Sequence, residues 1–224
     1  FTNEKILLAH APTGLGKTAS ALTVALIQAI EKKKTIFFLT NRHTQHKIAI
    51  DTLKAIKEKG LVDFSCVDII GKIWMCNQEI AGLFGNEFNE YCKTIIKKEK
   101  KEFYNKERKK KKLKKEKKKL LGNAKKRALH NEELIFLCKD EKKCSYEMAL
   151  ALAKEARVNI GDYYYIFNPF VQNNFFSRLN LEMKDIILIV DEGHNLPNRV
   201  TEMLSNNLSA NMIKNAVMEA KKFG

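Results

Sequence analysis

The sequence contains no unbroken apolar run of about 18 residues or more, which excludes a membrane-spanning helix of ordinary length. No basic-then-apolar leader precedes the first motif, and an opening Phe1 with no Met reads as a trimmed piece. Five cysteines in 224 residues are too few for the disulfide framework of a secreted domain. They suit an intracellular chain, cytoplasmic or nuclear, in which thiols bind metal or are buried. No internal repeat is present. Acidic residues are scarce, with 26 Asp and Glu against 41 Lys and Arg and a net charge of +15. The excess is local: 18 of the basic residues and only 4 of the acidic ones lie between Lys97 and Arg127. The rest of the chain is close to neutral, a pattern that suits one contact with a polyanion.

A composition 45% hydrophobic supplies a substantial core. Apolar runs predict buried strands at Lys5–Ala9, Thr35–Thr40, Phe64–Ile70, Val158–Phe167 and Asp185–Val190, the last being the clearest core strand. Helical patterns occupy Ala19–Ile30 and Gln45–Lys59, the second stopped by Gly60. This alternation predicts an α/β fold, a parallel sheet with helices on its faces. It breaks at Gly71, and strand character returns only at Val158, so residues 71–157 read as a mostly helical insertion. The division is therefore 1–70 and 158–208 for the α/β domain, 71–157 for the insertion, and 209–224 for the start of another helical unit.

Two motifs carry chemistry. Ala11-Pro12-Thr13-Gly14-Leu15-Gly16-Lys17-Thr18 lies between a predicted strand and a predicted helix. Gly14 and Gly16 let backbone N–H groups turn inward around a phosphate, Lys17 reaches the β- and γ-phosphates, and Thr18 offers a hydroxyl to Mg²⁺. The following helix aims its positive end at the same place. The stretch Pro12–Thr18 is thus a candidate ATP cradle. Asp191-Glu192-Gly193-His194 follows the apolar run at 185–190. Carboxylates at the carboxyl end of a buried strand face the crevice where open α/β sheets bind ligands. Asp191 is the candidate Mg²⁺ holder, Glu192 the group that orients and deprotonates water, and His194 the link from the nucleotide to the rest of the molecule.

Four cysteines, Cys76, Cys92, Cys138 and Cys144, fall in the insertion with spacing C-x15-C-x45-C-x5-C. That matches neither a zinc ribbon nor a ferredoxin run, so a metal site and buried thiols both remain open. Cys66, on a predicted strand, reads as a small core residue. The Lys-rich run reads either as a solvated helix or as a surface that tracks phosphates.

Together these segments resemble the superfamily 2 helicases, specifically the XPD-like, DinG-related iron–sulfur branch. APTGLGKT resembles that family's APTGxGKT, and DEGHN its DEAHN box with Gly193 for Ala. Thr40-Asn41-Arg42-His43-Thr44-Gln45 resembles its motif Ia, which implies single-stranded DNA contacts at Arg42, His43, Thr44 and Gln45; the alternative is a plain turn capped by Thr44. Gly161–Pro169 resembles the segment before the family's acidic box, and its tyrosines are set either to stack on bases or to be buried. Gly71–Cys76 and Cys144–Glu147 resemble the approaches to the first and last ligands of the family's [4Fe–4S] cluster, with Ser145 in place of Pro. Sequence does not separate that cluster from a four-thiolate zinc site.

The resemblance implies a RecA-like P-loop domain that uses ATP and Mg²⁺ to move 5′→3′ on single-stranded DNA and open forks, in DNA repair. It also implies a monomer with no membrane contact, whose second motor domain lies elsewhere in the full-length chain, so that these residues alone do not turn over ATP usefully. The alternatives are a DNA-sensing ATPase that does not unwind, a DEAH-type RNA helicase, and an unrelated P-loop ATPase.

Overall fold

The computed structural model describes residues 6–12, 14–60, 62–78, 85–104, 122, 127–140, 143–205 and 208–223. A helix, α1 (Lys17–Glu31), leads through a tight turn into β1 (Thr35–Thr40). Next come α2 (His43–Glu58) and β2 (Cys66–Ile69). The following described elements are helices: α3 (Gly85–Tyr104), α4 (Asn131–Asp140) and α5 (Ser145–Ala153). The chain then returns to the sheet as β3 (Val158–Asp162), runs through α6 (Tyr164–Phe167) and α7 (Pro169–Leu179), and re-enters as β4 (Ile186–Val190). Two more helices follow, α8 (Leu196–Leu204) and α9 (Ala210–Phe223).

The four strands are parallel in the order β2-β3-β1-β4. β1 is central because Thr-Ile-Phe-Phe-Leu-Thr offers bulky and β-branched side chains to both faces. Phe37 and Leu39 enter one core with Met148, Ala149 and Leu152 of α5 and Phe175, Phe176 and Leu179 of α7. Ile36 and Phe38 enter the opposite core. There they meet the apolar stripes of α1 (Leu22, Ala25, Leu26, Ala29) and α2 (Ala49, Ile50, Leu53). The α1 stripe follows the i, i+3, i+4, i+7 spacing of a helix with one buried face, and the α2 stripe does so with buried His46 as its first member. Gly60, at φ 67°, lets the chain leave α2. Cys66 is buried as expected, and that burial pushes its thiol up to about 12.

Three expectations fail. Residues 6–10 form no strand, and Ile6 and Leu8 are 81% and 94% exposed. No strand among the described residues pairs with the outer edge of β4. For the same reason β4 is not the core strand its composition promised: only Ile186 is buried and the rest is half-exposed. Strand β3 stops at Asp162 rather than reaching residue 167. Asn168 then caps α7, its Oδ1 accepting from the Val171 amide at 3.1 Å, with Pro169 preset for the first turn. Asn-Pro is a helix-start signal, and it outweighs the strand character of the aromatic run before it.

The β2 side is tied by buried polar groups. Asp68, in the middle of β2, is fully buried and takes a 2.5 Å contact from Nδ1 of buried His46 on α2. Its other oxygen accepts from the Asn131 backbone N–H (3.0 Å) and side-chain N–H (2.6 Å) at the start of α4. One carboxylate therefore joins α2, β2 and α4.

Candidate nucleotide site at the carboxyl rim of the sheet

Parallel strands put all their carboxyl ends on one rim, and the motifs collect there. Gly14 (φ 85°) and Gly16 (φ 74°) both sit in the left-handed region that a side chain would strain, and a Cβ on either would point into open space. Gly16 is the N-cap of α1, and no side chain caps that end. The first-turn amides therefore face the loop without a side-chain acceptor, as anion binding requires. Lys17 reaches back to donate to the Ala11 carbonyl at 2.9 Å, so the ammonium lies across the mouth of the loop. Thr18 follows in the first turn. Thr13 lies outside the described residues.

On the neighbouring strand, the Asp191 amide donates to the Leu39 carbonyl at 2.8 Å, which extends the β1–β4 ladder by one residue. Burial pushes the Asp191 carboxyl above its usual range, the negative charge of Glu192 adds to that, and the positive charge of Lys17 opposes it. Two groups 174 positions apart in sequence thus act on each other across the rim. Glu192 adopts the left-handed conformation at φ 52°, unusual for a residue with a side chain. Its carboxylate lies 3.4 Å from Nδ1 of His194, which is itself 72% exposed. Asn195 donates to the Glu192 carbonyl at 3.3 Å.

Beside this turn stands Tyr163, wholly buried, with its ring edge-on to Phe167. Its hydroxyl donates to the backbone carbonyls of both Asp191 and Glu192, the latter at 3.0 Å. Burial and the flanking carboxylates push that hydroxyl up to about 12. Tyr165 is buried too, donating to the Ile70 carbonyl at 2.8 Å. Of the three tyrosines only Tyr164 is open to solvent, at 45% exposure, so stacking on bases is closed to Tyr163 and Tyr165.

Arg42, His43 and Thr44 are exposed on the adjoining turn after β1, and Gln45 is half-buried against the Thr40 hydroxyl. Thr44 does not cap α2. The helix begins one residue earlier, at His43, and its N-cap is Arg42.

The four cysteines share one neighbourhood without converging. A cavity of about 700 Å³ is lined by Cys76, Asn77, Gln78, Tyr91, Ile135 and Lys139. Asn77 donates to the Lys143 carbonyl at 2.7 Å, bringing the Cys76 turn to the residue before Cys144. Cys144 sits at the N-cap of α5; burial pushes its thiol above the usual range, and Cys92 is near enough to add a little to that. Cys138, by contrast, is fully buried in the core with Leu134 one turn before it. Among the described residues no three Cys, His, Asp or Glu side chains come together as a ligand set.

The DEAD_2 family matches residues 38–213, most of the chain. The chain belongs to the DEAD_2 family. Among its relatives is the Regulator of telomere elongation helicase 1 homolog of Caenorhabditis briggsae, 24% identical over a 246-residue alignment covering 95% of this chain and 24% of that protein. The ATP-dependent DNA helicase XPD of Sulfolobus acidocaldarius is 23% identical, over 98% of this chain and 34% of that protein. A solved truncated XPD superposes with a TM-score of 0.59 at 22% identity, covering 93% of this chain and 53% of that one. A solved XPD helicase gives 0.57 at 21% identity, covering 87% and 30%. The fold is therefore the RecA-like P-loop domain of XPD helicases, and this DEAD_2 chain spans a quarter to a third of the two helicase sequences it resembles. Membership implies ATP and Mg²⁺ use. No described helix is long and apolar enough to cross a membrane.

Tyr163 and Asp68 are the residues that sequence reasoning missed. A carboxylate inside the apolar run Cys66–Ile70 was the visible sign of a buried polar hub. Nothing in the sequence marked which tyrosine would reach the acidic turn.

Proposed function

We propose that this DEAD_2 chain is the nucleotide-binding part of an ATP-dependent DNA helicase that moves 5′→3′ on single-stranded DNA and opens forks in DNA repair. The observation that carries the reading is the electrostatic meeting of Lys17 and Asp191 at the carboxyl rim. A cationic phosphate ligand and an acidic metal ligand on adjoining loops are what MgATP hydrolysis needs. In this reading Pro12–Thr18 cradles the phosphates, Thr18 and Asp191 hold Mg²⁺, Glu192 positions and deprotonates water, and His194 couples the site to the second motor domain. Arg42, His43, Thr44 and Gln45 take the backbone of single-stranded DNA, supported by the exposure of the first three on the same rim.

Residues 71–157 form the inserted unit, with 1–70 and 158–208 as the motor and 209–224 opening a further helical unit. Cys76, Cys92, Cys138 and Cys144 are its candidate [4Fe–4S] ligands. The cavity beside Cys76 and the neighbours of Cys92 and Cys138 supports this, and the burial of Cys138 makes that residue the weakest of the four. The protein works as an intracellular monomer, and these residues without the second motor domain do not turn over ATP usefully.

The test is strand displacement by the full-length protein on a forked duplex with a 5′ tail. ATP-dependent unwinding that Lys17→Ala abolishes supports the reading. DNA-stimulated ATP hydrolysis with no displacement on any fork replaces it with a DNA-sensing ATPase. Anaerobically purified protein that is colourless and iron-free removes the cluster.

A further inference from the structure

Glu192 has a backbone that needs holding. Its φ of 52° lies in a region that strains a residue with a Cβ, and such a conformation persists only where surrounding contacts fix it. No side chain caps the short helical turn that Glu192 opens, Gly193–Asn195. Asp191, just before it, is anchored by its amide to β1, so the chain is rigid up to that point and then turns sharply. Two side chains reach the Glu192 carbonyl. One is Asn195, from the turn itself, at 3.3 Å. The other is Tyr163, which comes from the end of β3 and also takes the Asp191 carbonyl. Strand β3 is not adjacent to β4; β1 lies between them. The phenol therefore spans the end of β1 to reach the turn, and it is wholly buried where it does so.

Resting on the reading of Glu192 as the group that prepares water, we propose that Tyr163 is a positioning residue for ATP hydrolysis: its hydroxyl clamps the consecutive carbonyls of Asp191 and Glu192 and so sets the direction of the Glu192 carboxylate. The physical case is geometric. A single hydroxyl shared by two successive carbonyls restrains the peptide groups on both sides of the Glu192 Cα. Rotation of either peptide would swing the Glu192 side chain, and hydrolysis is sensitive to such displacement: a misplacement of about 1 Å costs about 10²-fold in rate. Binding of ATP, by contrast, draws mainly on the loop at 12–18, and Asp191, the Mg²⁺ candidate, keeps its own anchor through its amide on the Leu39 carbonyl. The clamp also gives β3, the strand that leads back from the helical segment, a direct line to the catalytic turn that bypasses the nucleotide.

The experiment uses the full-length protein with DNA and ATP, comparing wild type, Tyr163→Phe and Glu192→Gln. Phenylalanine keeps the ring and its edge contact with Phe167 and removes only the hydroxyl. The expected result is a kcat about tenfold or more lower in Tyr163→Phe with KM for ATP within twofold. The thermal midpoint should stay close to wild type, and amide exchange at residues 191–195 should be faster. Unchanged kcat in Tyr163→Phe, while Glu192→Gln is inactive, overturns the proposal and leaves the reading of Glu192 intact. Full activity in Glu192→Gln overturns both. A Tyr163→Phe protein that loses kcat and nucleotide affinity together, or does not fold, makes the hydroxyl a structural bond and overturns the proposal as well.

Discussion

The two edges of the sheet are built on opposite plans. At β2, a buried carboxylate joins three elements: Asp68 is shared by His46 and Asn131, and the strand is covered on both faces. At β4, the outer edge has no partner among the described residues, the side chains are half-exposed, and the catalytic candidates project from its end. The first edge spends its polar groups on cohesion. The second keeps them at the rim, where Asp191 and Glu192 repel one another, opposed by a hydrogen bond from the Glu192 backbone and by the charge of Lys17. Burial first and the charge of Glu192 second push the Asp191 carboxyl above its usual range, so this edge holds a carboxylate at a cost that the fold does not offset there.

Substitutions should break this contrast in a graded way. The largest effect is expected at the open edge and in activity alone. Glu192→Gln in the full-length protein should lower ATP hydrolysis by about 10²–10⁴-fold, the usual contribution of a positioned general base. Its unfolding midpoint should not fall. A matching loss of stability would show that Glu192 holds the fold instead.

At the sealed edge the order reverses. Asp68→Ala leaves the buried His46 ring and the Asn131 donors without their acceptor, and such losses cost about 3–5 kcal/mol. Urea unfolding measures this, and a change under 1 kcal/mol would remove Asp68 as the hub. Packing should follow the same gradient. Phe37→Ala, on central β1, should cost about 3–5 kcal/mol, whereas Ile189→Ala, on half-exposed β4, should cost about 1–2 kcal/mol, below the range for a fully buried Ile. Equal costs would mean that β4 is as well covered as β1.

Smaller still, Asn168→Ala should cost about 1 kcal/mol by removing the cap of α7. The smallest effect concerns thiols. In cluster-free protein at pH 8 iodoacetamide should modify exposed Cys144 and spare Cys66, as peptide mass mapping would show. Cys66 also sets a sign for alkaline stability. Its ordinary value is 9.0 and its folded value about 12, so between them the unfolded thiol ionises while the folded one keeps its proton. Its contribution is fully present below pH 9 and declines as pH rises towards 12. Cys66→Ala should flatten that part of the stability curve.

Much of this was legible in the sequence because it is local. The turn around Gly14 and Gly16 needs only residues without a Cβ at fixed offsets, and α1 and α2 needed only an apolar stripe of helical period. Strand β1 was plain because every residue in it prefers a pleated, covered surface. The failures came where neighbours decide. Residues 6–10 and β4 carry strand-forming side chains, but composition cannot say whether a partner strand lies alongside. The run 158–167 held two signals of opposite meaning, and the Asn-Pro start of α7 won.

Sequence alone thus determined the chemistry available: a candidate phosphate loop, an acidic box, four cysteines in a helical segment, and the order in which they come. These are set by residue type and spacing over a few positions, where bond geometry does the choosing. Tertiary structure alone decided that Lys17 comes near enough to act on Asp191, that Tyr163 rather than Tyr164 reaches the acidic turn, and that Cys138 lies in the core. Those outcomes depend on which strands lie side by side, and strand order is fixed by burial of the whole sheet rather than by any short stretch of chain.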